Sequence, residues 1–131
     1  MSTYKIGNGS KQITLAVDID SFGLAASRAI IVDLNTNDPV ITVGHSVDAT
    51  GDITRTDIGL CDSLKNKRLS IMTKIDLIGS LDSRKKEAAR LNAKYILDEG
   101  VEGSKSFSDA EKIISDDVTT VILYKEVDFI P

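Results

Sequence analysis

The segment Ile13-Thr14-Leu15-Ala16-Val17-Asp18-Ile19-Asp20 decides the fold class, because a large apolar side chain recurs at every second position. Successive side chains of a β-strand point to opposite faces, so this pattern buries one face and leaves the other to solvent. We therefore predict a strand over residues 11–20. Just before it, Gly7-Asn8-Gly9-Ser10 is typical of a turn, which predicts that residues 3–6 and 11–20 pair as a hairpin.

The same alternation recurs along the chain. Residues 27–34 and 40–47 flank the turn sequence Asn35-Thr36-Asn37-Asp38-Pro39, and we expect a second hairpin there. Further strands are predicted at 53–58, 69–78 and 104–108, with one helical turn or a loop at 60–66. Every acidic residue before Glu87 is Asp, which favours turns over helices and so supports this interpretation.

Residues 83–98 are open to two interpretations. Residues 84–91 have a helix-forming composition, but three cations would lie at the helix N-terminus, where the macrodipole disfavours them. Residues 89–97 alternate between apolar and polar side chains, with Ile96 as the exception. We favour one short helix near 83–88 leading into a strand near 90–98, and the alternative is a single helix over 83–98.

The last segment, 118–130, is a long extended run with apolar side chains on both faces. Val121, Leu123, Val127 and Phe129 lie on one face, and Ile122 and Tyr124 lie on the other. This pattern predicts a strand that is covered on both sides, with a partner as one source of that cover.

Eight or nine short strands with turn signals every 8–15 residues predict an all-β fold, a β-sandwich of immunoglobulin-like or jelly-roll type. The Cys…Trp…Cys pattern of true immunoglobulin domains is absent from the sequence, so the likeness is one of architecture only. With 131 residues, 41% of them hydrophobic, the chain is expected to form a single domain over residues 1–131.

Charge and composition narrow the class of partner. The net charge is −4, but residues 65–94 carry nine basic and three acidic side chains, and residues 95–131 carry three basic and nine acidic ones. The basic residues near 65–68 and near 84–86 flank the predicted strand 69–78, so they are expected at opposite ends of it. We therefore predict no nucleic-acid partner.

Membrane and secretion signals are missing from the sequence. No stretch approaches the roughly 20 apolar residues that a membrane-spanning helix needs, so we predict no membrane span. The N-terminal residues contain no long apolar run, which predicts no signal peptide. The single Cys is compatible with the cytoplasm.

Two constellations could carry chemistry. Cys61 and His45 are the only Cys and His, but Asp62 beside Cys61 opposes a reactive thiolate, so we predict no catalytic residue. Asp48, Asp52 and Asp57 cluster hard oxygen ligands around a turn, and calcium binds six to eight oxygens. These three are the candidate calcium ligands, although their spacing matches no EF-hand loop.

The sequence thus predicts a non-enzymatic structural or protein-interaction module that assembles through its edge strands with a protein partner or as a homo-oligomer. The alternative is a calcium-dependent domain that binds a carbohydrate or a lipid headgroup. The first function requires no cofactor, and the second requires calcium.

Overall fold

A computed structural model describes residues 2–131 of the chain, and this part contains ten strands and two short helices. The strands are β1 (Ser2–Lys5), β2 (Gln12–Asp20), β3 (Leu24–Asp33), β4 (Ile41–His45), β5 (Ile53–Leu60), β6 (Lys67–Asp76), β7 (Asn92–Asp98), β8 (Lys105–Phe107), β9 (Glu111–Ile114) and β10 (Thr120–Ile130). The helices are α1 (Cys61–Leu64) and α2 (Leu81–Arg90). Neither helix is long and apolar enough to cross a membrane, and the rest of residues 2–131 contains no such helix.

The strands form two sheets. The six-stranded sheet has the order β1, β10, β6, β3, β4, and β9 also pairs with β10. β1 runs parallel to β10, whereas the other neighbours in this sheet are antiparallel. The four-stranded sheet has the antiparallel order β5, β2, β7, β8. An all-β fold with a short helix is therefore confirmed, and the immunoglobulin-like or jelly-roll assignment stays a prediction.

One hydrophobic core lies between the sheets, because alternate residues of each strand point into it. The four-stranded sheet contributes the alternating apolar side chains of β2, from which the fold class was predicted. The largest fully buried side chains are Tyr4, Ile6, Ile13, Leu15, Leu69, Ile71, Ile75, Leu91, Tyr95, Leu97, Val121 and Leu123. The inward faces of β2, β6 and β10 thus hold the two sheets together.

The predicted hairpin of residues 3–6 with 11–20 is wrong, although both strands exist. β1 instead lies beside β10, and β2 lies between β5 and β7 in the other sheet. The turn residues therefore carry the chain from one sheet to the other. Tyr4 fixes this path, since its hydroxyl accepts a hydrogen bond from the Gly100 N–H and donates one to the Gly103 carbonyl. A Cβ at Gly100 would lie 2.6 Å from the Lys5 carbonyl oxygen, so only glycine permits this approach.

The second predicted hairpin is confirmed by the antiparallel pairing of β3 with β4, and the helical turn within residues 60–66 is α1. The preferred interpretation of residues 83–98 is also confirmed, and a single helix over 83–98 is wrong. Helix α2 begins earlier than predicted because the Ser80 hydroxyl caps it, accepting a hydrogen bond from the Ser83 N–H at 3.2 Å. The earlier start puts Asp82 in the first turn and leaves the three cations beyond it.

Strand β9 was not predicted. All four of its residues are exposed, so its sequence has no inside and outside faces to alternate between. The pairing with residues 121–124 of β10 specifies it instead. Its Lys112 ammonium donates to the Ala88 and Leu91 carbonyls, which ties β9 to the C-terminal end of α2.

Candidate interaction surface

The outer face of the six-stranded sheet carries a strip of apolar side chains that no other element of residues 2–131 covers. On β10 the inward positions are buried, whereas the outward Ile122 and Tyr124 are half-buried. Met72 on β6 is 49% exposed, Ile113 on β9 is 60% exposed and Leu24 on β3 is 57% exposed. We call this set the apolar strip; its members are Leu24, Ala26, Ile30, Met72, Ile113, Ile122 and Tyr124.

The strip follows from the alternation of the strands. The sequence prediction of a β10 covered on both sides holds for its inward face, which meets the core, but its outward face is left partly open. A depression of about 370 Å³ lies across β3, β6 and β10. Its lining includes Ala26, Arg28, Ile30, Met72, Lys74 and Tyr124. A mostly apolar depression on an exposed sheet is typical of a surface that another molecule covers.

The strand register places four residues in one row across four neighbouring strands: two residues of the apolar strip and one charged residue on either side of them. Arg28 pairs with Met72, Met72 pairs with Tyr124, and Tyr124 pairs with Glu111. Within these four strands the central row therefore has a cation on β3, two large apolar side chains in the middle and a carboxylate on β9; beyond Arg28 the register continues to His45 on β4.

The charges at the two ends of the central row are not neutralised within the described part of the chain. The Arg28 guanidinium donates to the Thr42 hydroxyl at 2.8 and 3.1 Å, which is a neutral partner. Neither Arg28 nor Glu111 takes part in an ion pair among residues 2–131. At one end of the same face, by contrast, Arg68 is paired with Asp128 at 2.6 Å and with Glu126 at 3.1 Å.

The free sheet edges are short or irregular. β4 spans five residues and its pairing with β3 has a register shift, while β8 spans three residues. β5 is longer, but its pairing with β2 has register shifts at two places. Short strands and bulges protect an edge against the addition of another strand. Assembly through edge strands stays a prediction, and these edges give it little geometric support.

A polar cluster around the buried Lys125 lies near β8, and the Asp109 side chain of this cluster is exposed at the surface. Lys125 points inward from β10 and is 6% exposed; its ammonium donates to the Ser2 hydroxyl at 2.6 Å and to the Asp109 carboxylate at 2.7 Å. The ammonium also lies 5.1 Å from the centre of the Phe107 ring. The hydrogen bond from Lys125 holds the pKa of Asp109 below its usual range. The contact between Lys125 and Asp109 ties the connection between β8 and β9 to β10.

Tyr95 lies in the same region, but its polar group, unlike the Lys125 ammonium, is not hydrogen-bonded. Its side chain is 1% exposed, and its hydroxyl has no hydrogen-bond partner among residues 2–131. Burial, reinforced by the negative charge of Asp109, raises the pKa of Tyr95 well above its usual range.

The three predicted calcium ligands do not share one site in the described structure. Asp48 accepts hydrogen bonds from the backbone N–H and the hydroxyl of Thr50. Asp52 accepts the Ile19 N–H at 2.7 Å, and Asp57 lies within β5. Among residues 2–131 no group of three or more Asp, Glu, His or Cys side chains is placed to hold a metal ion. Two of the three carboxylates thus stabilise the fold locally, and calcium binding stays a prediction.

Cys61 and His45 serve separate local contacts. The Cys61 thiol is buried and donates to the Ile6 carbonyl at 3.2 Å. His45 is exposed at the end of β4, and its Nδ1 lies 3.0 Å from the Ser46 carbonyl. Cys61 and His45 therefore contact two different backbone carbonyls.

Sequence reasoning found part of the apolar strip and missed the rest. Ile122 and Tyr124 were recognised as apolar on the second face of β10, but Arg28, Met72 and Glu111 were not singled out. The available signal was Met72, an apolar residue between Ser70 and Lys74 on the otherwise polar face of β6. The pairing that joins these residues into one row was not visible in the sequence.

Comparisons with protein-family models, with curated proteins and with solved structures give no match for this chain.

Proposed function

We propose that this chain is a non-enzymatic protein-interaction module that binds a protein partner through the outer face of its six-stranded sheet. The observation that carries the proposal is the apolar strip, whose members are contiguous across β3, β6, β10 and β9. Burying apolar surface contributes roughly 25 cal/mol per Å², so a partner that covers this strip gains a substantial hydrophobic term.

The composition of the strip supports a protein partner. Met and Tyr are enriched at protein–protein interfaces, because Met adapts to irregular surfaces and Tyr combines an apolar ring with a hydroxyl. Met72 and Tyr124 lie at the centre of the strip, and charged residues flank them. An apolar centre with a polar rim is the usual anatomy of such an interface.

The face is better suited to binding than the edges. The edge strands β4 and β8 have five and three residues, and a bulge interrupts the pairing of β4. The face, by contrast, is built on β3 and β6 of ten residues each and on β10 of eleven, all in continuous register. A rigid, regular platform loses little conformational entropy when it is covered.

The non-enzymatic part of this proposal is supported by the contacts of the one Cys and the one His. The Cys61 thiol is buried and donates to the Ile6 carbonyl, so its sulfur is not accessible to a substrate. His45 lies exposed at the end of an edge strand, where its ring contacts the adjacent residue's carbonyl.

Site-specific photo-crosslinking in the source cells tests the proposal. A benzophenone amino acid is introduced at Met72 in the apolar strip and, as a matched control, at the exposed Lys94 on the outer face of the four-stranded sheet. We expect a discrete protein adduct from position 72 that is absent from position 94. Ile113→Asp, at an exposed position of the strip, is expected to reduce that adduct at least fivefold while leaving the melting temperature unchanged.

Equal adducts from both positions, or none from position 72, would contradict binding through this face. Persistence of the adduct in the Ile113→Asp variant would also contradict it. The mass of the adduct identifies whether the bound protein is a second copy of the chain or another protein.

A further inference from the structure

We propose that the partner on this face is a second copy of the chain, docked about a two-fold axis that runs parallel to the strands between β6 and β10. This inference rests on the proposed function, because it names the occupant of the apolar strip. Its basis is the order of charges in the central row, in which Arg28 and Glu111 lie at opposite ends.

A two-fold axis in this direction exchanges the two halves of the row. β6 of one copy then faces β10 of the other, and β3 faces β9. Arg28 of each copy meets Glu111 of the other, and Met72 meets Tyr124. Both charges that lack an ion-pair partner among residues 2–131 thereby gain one, and each contact occurs twice because the interface is isologous.

The remaining rows of the face are compatible with the same axis. The next row places Ala26 opposite the second copy's Ile113 and Lys74 opposite its Ile122. Near the far end of the strands, Arg68 faces the second copy's Asp128, so the existing ion pair becomes part of a four-charge network. No row that the register defines brings two charges of the same sign together.

The other two-fold axis within the interface plane is unfavourable. An axis along the central row, perpendicular to the strands, would place Arg28 on the second copy's Arg28 and Glu111 on its Glu111. Like charges opposed across a desolvated interface cost several kcal/mol. The charge order of the row therefore selects the axis parallel to the strands.

The face is large enough for a specific dimer. At about 4.8 Å spacing and about 3.3 Å per residue, β3, β6 and β10 form a platform about 14 Å wide and about 33 Å long, and the four residues of β9 add about 60 Å². The flat area is then about 540 Å² per copy, or somewhat over 1,000 Å² in total, which is the lower range of specific interfaces. Sheets that pack face to face lie about 10 Å apart, a gap that extended Arg and Glu side chains span together.

Charge reversal with the purified full chain tests the proposal. Sedimentation velocity over a range of low to high micromolar concentrations is expected to show a monomer–dimer equilibrium for the unmodified protein. Arg28→Glu and Glu111→Arg are each expected to raise the dimer Kd at least tenfold. The double variant R28E/E111R is expected to restore it to within about threefold, because the two charges exchange places in both symmetric contacts.

Lys85→Glu is the matched control, since it makes the same charge change at an exposed position of α2, off the sheet face. It is expected to change the dimer Kd less than twofold, and circular dichroism checks that every variant is folded. Two single variants that weaken the dimer without rescue by the double variant would overturn the proposed docking. An unmodified chain that stays monomeric at every concentration would overturn the second copy as partner.

The two proposals fail in different ways. A monomeric chain that still crosslinks from position 72 to a protein of another mass refutes the second copy and supports the interaction module. A monomeric chain without any adduct from position 72 refutes both.

Discussion

Replacing Tyr95 by Phe is expected to stabilise the protein, whereas the same replacement at Tyr4 is expected to destabilise it. Both rings are fully buried, and both changes remove only a hydroxyl. The Tyr95 hydroxyl has no hydrogen-bond partner among residues 2–131, while the Tyr4 hydroxyl joins the Gly100 N–H and the Gly103 carbonyl. The pair of variants thus isolates the effect of hydrogen bonding on a buried hydroxyl.

The magnitudes follow from the cost of burying an unpaired polar group. In proteins a buried hydroxyl without a partner costs about 1–3 kcal/mol, which Tyr95→Phe recovers apart from the small void that it leaves. We therefore expect the free energy of unfolding to rise by about 1 kcal/mol. Tyr4→Phe leaves two backbone groups unpaired, so we expect a loss of about 1–3 kcal/mol. For a chain of this length, 1 kcal/mol corresponds to about 4 °C in melting temperature.

Thermal and urea unfolding, followed by circular dichroism, measure both changes. The expected result is a melting temperature that rises for Tyr95→Phe and falls for Tyr4→Phe. If Tyr95→Phe lowers the melting temperature as much as Tyr4→Phe does, the Tyr95 hydroxyl is satisfied in solution and the reasoning is refuted. An unchanged urea m-value confirms that both variants act on stability alone.

The same variants make a prediction about alkaline pH. Burial raises the pKa of Tyr95 above its ordinary value of about 10, because the charged phenolate is disfavoured inside the protein. A raised pKa of this kind leaves stability unchanged below pH 10 and reduces it as the pH rises further. The unmodified protein should therefore lose stability between pH 10 and 12 more steeply than Tyr95→Phe. Equal slopes for the two proteins would contradict burial as the cause.

Two further predictions concern carboxylates. Glu87 accepts the Phe22 N–H at 2.9 Å, and its hydrogen bond with Arg90 lowers its pKa, so its ionised form stabilises the fold above about pH 4 and this stability is lost as the pH falls. Glu87→Gln should cost about 1 kcal/mol at pH 7 and progressively less as the pH falls below about 4, as measured by urea unfolding; a cost that does not change with pH would contradict a charge effect. Calcium at millimolar concentration should leave the melting temperature within about 1 °C, because Asp48 and Asp52 already accept hydrogen bonds from the backbone. A larger calcium-dependent shift that Asp48→Asn abolishes would instead favour the calcium-binding alternative.

The candidate surface was only partly predictable from the sequence. Ile122 and Tyr124 were visible as apolar residues on the second face of a long strand, because alternation is a local property. Their neighbours Met72 and Glu111 are 52 and 13 positions from Tyr124 in the chain, and only strand register places them beside it. The calcium interpretation had the opposite difficulty: Asp48 and Asp52 are near in sequence but accept hydrogen bonds from different backbone groups, and Asp57 lies within β5.

The sequence by itself determined the strands whose two faces differ, and with them the all-β class. The sequence predicted β2, β6 and β7 because each has one buried and one exposed face, so that apolar and polar residues alternate along it. The capped helix α2 was likewise indicated by local composition.

Tertiary structure alone decided which strands are neighbours. Backbone hydrogen bonds pair any strand with any other, so the turn after β1 did not reveal that β1 lies beside β10 rather than β2. The position of β1 beside β10 is stabilised by the burial of Tyr4 against the turn at Gly100, which is 96 residues away in the chain. Strand β9 has no buried face of its own, so its strand conformation depends on pairing with the edge of β10. Side-chain periodicity is a local property that can be seen in the sequence. Strand pairing depends instead on how residues distant in the sequence pack into one core between the two sheets.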